Sequence, residues 1–224
     1  MSSAIRDILP LAGATALSPA PIIAVILILS APSARRNGGA FVLGWTAGLI
    51  AVGTIVLLLS RDGSTDAPGS PSTTSSVVRL AIGLLALGLA ARAWRARPAR
   101  GAVAEMPRWM RRIDGMGPAP CLGLGALLAG VNPKNLGLTV AAAHRIAQAG
   151  LGGGEEAITL AVFAAVGTVG VMVPVTLYLL LGARAAGRLE RWKTWLSGHN
   201  AVVTAVVLAI IGIVLAANAV GDLA

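Results

Sequence analysis

Charge and cysteine are both scarce in this chain. Only 12% of its 224 residues are charged, 56% are hydrophobic, and the mean hydropathy is +0.80. A soluble domain of ordinary composition is not built this way. The single cysteine, Cys121, excludes an intramolecular disulfide and a two-thiol redox relay, which leaves it a packing role. Acidic residues are few, and the sequence places all of them in loops or near helix ends. That denies a metal ion or an organic cation the buried oxygen ligands it would need. No carboxylate pair, Ser/His or Cys/His arrangement or zinc-ligand set stands out. The expectation is therefore a protein that is not an enzyme and that holds no cofactor and no metal. A basic n-region followed by a small-residue cleavage site is also missing at the N-terminus, so no cleaved leader is expected. The longest polar stretches are too short to bury a core of their own.

What the chain has instead is apolar runs of membrane-crossing length. Six are read, near 5–31, 39–60, 77–93, 117–147, 156–182 and 200–219. The net charge of +9 invites a nucleic-acid partner, but its distribution argues against one. Basic residues gather in alternate connections: Arg35 and Arg36, then Arg92 to Arg112, then Arg184 to Lys193. By the positive-inside rule those connections are cytoplasmic and both termini face out. The expected location is the cell's inner (plasma) membrane, crossed several times. Residues 61–76 read as a polar outside loop. Residues 94–116, with Trp94, Trp109 and many arginines, read as an interfacial segment on the anionic cytoplasmic leaflet.

Two proline motifs interrupt this pattern. Ser18-Pro19-Ala20-Pro21 lies inside the first run and Asn132-Pro133-Lys134-Asn135 inside the fourth. At the same offset, Ala51-Val52-Gly53-Thr54 recurs as Ala165-Val166-Gly167-Thr168. Two matches at one offset suggest an internal repeat. With three helices per copy, the second copy would enter the membrane from the opposite side. The expected fold is thus an all-α integral membrane protein with six transmembrane helices as two inverted three-helix repeats. Helices 1 and 4 are broken at the Pro motifs. The domains read as 1–93 for the first repeat, 94–116 for a basic linker and 117–224 for the second repeat.

Each motif is a cap followed by proline, the start of a new half-helix. Two helix N-termini would then meet at depth, with unpaired N–H groups and partial positive charge, an arrangement that favours anions. Lys134 is the only ionisable side chain placed deep in the membrane, where such residues mark pathways, relays or counter-ions. Its alternative roles are to snorkel to an interface or to bond carbonyls freed by the breaks. Ser18, Asn132 and Asn135 can cap or touch substrate. Thr54 and Thr168 can pack helices or touch substrate. The candidate substrate-binding set is Ser18, Pro19, Pro21, Asn132, Pro133, Lys134, Asn135, Thr54 and Thr168. Gly44-xxx-Gly48 permits close helix approach, chiefly within the chain.

The runs SPAPIIAVILILSAPSARRNGGAFVLGWTAGLIAVGT and VNPKNLGLTVAAAHRIAQAG resemble the GAP family, which includes the mycobacterial sulfolipid-addressing and glycopeptidolipid-addressing proteins. That family is placed in the LysE (lysine exporter) transporter superfamily of small six-helix proteins. The resemblance covers essentially the whole chain. It implies export or delivery of a lipid or glycolipid across the inner membrane of an actinobacterium, by alternating access around a midplane site. The partners it implies are membrane lipids and an anionic or amphiphilic substrate. A homodimer and a lipid-export machinery are compatible with it. Two other roles stay open: a LysE-type exporter of amino acids or small solutes, and a non-transporting accessory subunit of a lipid-export complex.

Overall fold

A computed structural model describes residues 1–31, 33–62, 80, 83–84, 87–88, 90–95 and 116–223. Of the expected outside loop at 61–76, Arg61 and Asp62 are instead the end of a helix and the rest lies outside the described residues, as does most of the basic linker at 94–116. Every described element is helical: α1 (Ser2–Ala16), α2 (Pro19–Leu29), α3 (Ala34–Asp62), α4 (Pro118–Gly130), α5 (Pro133–Gln148), α6 (Gly153–Leu181) and α7 (Ala186–Leu223). A 3₁₀ turn, Gly182–Ala185, joins α6 to α7. Its first residue, Gly182, has φ of +54°, a left-handed conformation that suits glycine at a helix end. Two compact units make up the chain, Met1–Arg61 with Glu105–Ser197 and Asp62–Ala104 with Gly198–Ala224.

The larger unit holds the core. Ile8 and Ala12 of α1, Val25 of α2, Phe41 and Trp45 of α3 and Phe163 of α6 are among its buried side chains. α1 packs mainly on α6 and α5, and α2 on α6 and α4. α3 meets α4 through glycines. A Cβ on Gly44 would strike the Leu122 carbonyl of α4, and one on Gly125 would strike the Phe41 carbonyl of α3. A Cβ on Gly48 would crowd Ala126 and Ala129 at 2.9 Å. Small residues let two apolar helices touch backbone to backbone, and dispersion contacts replace what bulkier side chains would supply. The Gly44-xxx-Gly48 stripe is therefore spent inside the chain. In the smaller unit, Gly212 of α7 lies equally close to Leu87 and the Gly83 carbonyl.

The expectation of six transmembrane helices in two inverted repeats is corrected. Among the described residues, two helices are long and apolar enough to cross a membrane, over Ala34–Ser60 and Gly153–Leu181. A third span results if α1 and α2, bent by 49° at their break, count as one. The reason is local. A hydropathy window runs straight through a proline break, but the helix does not. The fourth apolar run becomes α4, with 13 residues, and α5, with 16, each too short to span alone. α5 also carries Lys134, Asn135, His144 and Arg145. The last apolar run contributes a short apolar stretch, Ala201–Ile210, within the long α7. The third run, 77–93, lies only in part within the described residues. The two long spans expose large apolar side chains, Leu43, Ile55 and Leu59 on α3 and Leu179 and Leu180 on α6. Such a surface is at home in lipid.

The α3–α4 contact yields a sign test. Gly39, with open space around its Cβ position, should gain about 0.5–1 kcal/mol on Gly39→Ala, the usual helix-interior effect. Gly44→Ala should lose about 1–3 kcal/mol from overpacking against α4. Melting temperatures of the detergent-purified variants should therefore move in opposite directions.

Candidate functional site

The site grows out of what proline does to a helix end. Ser18 sits before Pro19 with extended backbone (φ −78°, ψ 112°), and Asn132 before Pro133 likewise (φ −63°, ψ 119°). A residue preceding proline is held out of the helical region, so each motif ends one helix and starts the next. The Asn132 side chain accepts the Lys134 N–H at 3.1 Å, a true N-cap. Ser18 makes no side-chain cap bond. Its hydroxyl is used across the fold instead.

That hydroxyl donates to Asn135 Oδ1 at 2.5 Å, joining the α1–α2 break to the α4–α5 break. Asn135 Nδ2 in turn donates to the Leu128 carbonyl at 3.0 Å. Leu128 lies in the last turn of α4, whose carbonyls lack partners within the helix. Lys134 Nζ donates to Ser18 Oγ at 3.1 Å. The three side chains are deeply buried, with Ser18 2% exposed, Asn135 0% and Lys134 6%. Lys134 therefore does not snorkel. Its ammonium has no carboxylate partner among the described residues. A buried ammonium held by one hydroxyl is costly to keep, and that cost asks for a reason.

Of the other candidates, Pro19 and Pro21 are buried beside this cluster in sequence, while Pro133 is exposed and Asn132 half-buried. Thr168 is buried on α6, donating to the Ala164 carbonyl at 2.7 Å and lying 3.1 Å from the Thr46 hydroxyl of α3. Thr54 is exposed and lines a separate groove of about 210 Å³ with Ile50, Leu57, Glu156 and Leu160. The two matching threonines thus sit in different settings.

The sequence reading missed several buried polar groups. Thr139 donates to the Asn135 carbonyl at 2.9 Å. It stands one turn after Asn135 on the buried face of α5, a period that could have revealed it. The Trp45 indole donates to the Gly167 carbonyl at 3.3 Å, pinning α3 to α6. Asn37 Nδ2 donates to the Met116 carbonyl at 2.6 Å while its buried Oδ1 has no partner among the described residues. No group of three or more metal-ligating side chains occurs among the described residues.

The family model described as "Sap, sulfolipid-1-addressing protein" matches residues 8–221. The chain belongs to this family. No curated protein and no solved structure matches it. The match runs through both breaks and both long spans, so the Lys134 cluster lies well inside the family's extent.

The cluster separates a structural lysine from a functional one. Ser18→Ala removes the ammonium's hydrogen-bond partner and should cost about 1–3 kcal/mol. Lys134→Met, which removes the buried charge but keeps the volume, should leave the melting temperature unchanged or raise it. In the Lys134→Met background, Ser18→Ala should cost clearly less, a coupling read by a double-mutant cycle on thermal unfolding.

Proposed function

We propose that this protein, resident in the inner (plasma) membrane, moves an anionic amphiphile, a lipid or glycolipid, across that membrane and holds the charged group at Lys134. The observation that supports this most directly is the buried ammonium without a carboxylate among the described residues. A lysine kept only for stability would be better replaced by an apolar side chain. An arriving anion supplies the missing charge. The family's printed description, addressing of a sulfolipid, agrees with a charged amphiphile as cargo. The exposed apolar side chains of α3 and α6 suit contact with lipid tails.

In this reading the conformation described is closed, since Lys134 and Ser18 are both buried. Entry requires the helices at the breaks to part. The Ser18–Asn135 bond is the natural place, because the substrate's oxygens compete for the same donors. Opening toward one side and then the other gives alternating access. A cationic or zwitterionic solute such as an amino acid would need acceptors for its ammonium. Ser18 Oγ and Asn135 Oδ1 each already accept one bond, and no carboxylate stands by Lys134 to pair with a substrate ammonium.

The test is a thermal-shift panel on detergent-purified protein, because a ligand that binds the native state raises its melting temperature by mass action. Anionic lipids should stabilise the wild type at concentrations where neutral lipids and amino acids do not, and Lys134→Met should abolish the shift. Equal stabilisation of the variant would point to the basic surface segments and an accessory role. Stabilisation by amino acids alone would favour a solute exporter.

A further inference from the structure

The donors at the two breaks can be counted, and apart from Lys134 they are neutral. Pro19 and Pro21 have no N–H, and the Ile22 N–H is given to the Ser18 carbonyl at 3.4 Å. The first turn of α2 keeps one open N–H, that of Ala20. In α5, Pro133 has none, the Lys134 N–H goes to Asn132 Oδ1 and the Leu136 N–H to the Asn132 carbonyl at 2.9 Å. Asn135 keeps an open N–H there, and so does the N-cap residue Asn132. The partial positive charge of a helix N-terminus resides on such orphan groups, so each proline motif weakens the end it creates. The side chains add neutral donors and one charge. The Ser18 proton is on Asn135, one of the two Asn135 amide N–H groups is on Leu128, Asn132 uses its Oδ1 and keeps its amide N–H groups, and Lys134 Nζ has spent one of its three N–H groups on Ser18. Lys134 is also the only buried cation among the described residues.

We infer that the site takes a head group bearing a single negative charge, such as a phosphodiester, a sulfate ester or a carboxylate, and discriminates against a dianion. This rests on the reading of Lys134 as a substrate-binding group. One ammonium neutralises one negative charge and leaves a neutral pair. A second negative charge would be buried without a partner, which costs more than its added attraction to the same lysine returns.

A phosphate monoester gains its second charge near pH 6, whereas a phosphodiester or sulfate ester stays singly charged. Chain-matched lipids carrying each head group, with a carboxylate lipid as a fourth, are titrated into the detergent-purified protein at pH 5 and pH 7.5. The phosphodiester and sulfate-ester lipids should bind alike at the two pH values, and the ranking of all the singly charged lipids at pH 7.5 identifies the preferred oxyanion. The monoester should match the diester at pH 5 and bind at least tenfold more weakly at pH 7.5. All of this binding should depend on Lys134, checked with Lys134→Met. Monoester binding that holds or tightens at pH 7.5 while still requiring Lys134 overturns the single-charge inference and leaves the anion site intact. Binding indifferent to Lys134 overturns the underlying reading. The pH comparison is made within the wild type, so it does not hinge on a variant folding.

Discussion

A buried ammonium that answers to one serine hydroxyl is the constraint around which this structure is arranged. Two breaks are needed to make it. Without Pro133 there would be no helix start to place Lys134, and without Pro19 there would be no free Ser18 hydroxyl facing it. Each break frees backbone groups that must be satisfied away from water. Asn132 takes the Lys134 N–H, and Asn135 takes the Leu128 carbonyl and the Ser18 proton. The polar side chains of the two motifs therefore repair the backbone damage that the prolines cause. Lys134 is the member that repairs nothing, which is why its charge reads as functional.

The surroundings keep that cluster in place. α4 must end at Gly130 for α5 to begin at Pro133, and α4 is fixed by backbone contact with α3 through Gly44, Gly48 and Gly125. α3 is tied to α6 by the Trp45 indole and by the Thr46–Thr168 contact. α6 approaches α1 so closely that a Cβ on Gly170 would strike the Ala16 carbonyl, two residues before Ser18. Small residues thus connect the membrane-length helices to both breaks. A rearrangement at one break has stiff neighbours through which to reach the other.

Some of this was legible in the sequence, and some could not be. Both breaks were, because cap and proline rules act over a few residues and do not need the fold. The spacing said only that two helix starts would face each other; the Ser18–Asn135 and Ser18–Lys134 bonds were not read from it. The number of spans was not legible, because hydropathy averages over the breaks that shorten α1, α2, α4 and α5. The repeat of Thr54 as Thr168 misled for a related reason. A matching tetrapeptide says nothing of which face is buried, and one threonine lines an outer groove while the other is enclosed between α3 and α6. Pro19, Pro21 and Pro133 also remove backbone donors from the helix ends that they build. The Asn135–Leu128 bond depends on tertiary placement and left no mark in the spacing.

The most direct test of Lys134 as a carrier of the substrate's charge is leaflet transfer in reconstituted vesicles. A fluorescent singly charged lipid is placed in one leaflet, and its loss is followed for wild type and for Lys134→Met, with a neutral lipid of the same chain length alongside. The account predicts transfer of the anionic lipid by the wild type, none above empty vesicles by the variant, and no transfer of the neutral lipid by either. Equal transfer of the anionic lipid by wild type and a folded Lys134→Met variant would contradict it.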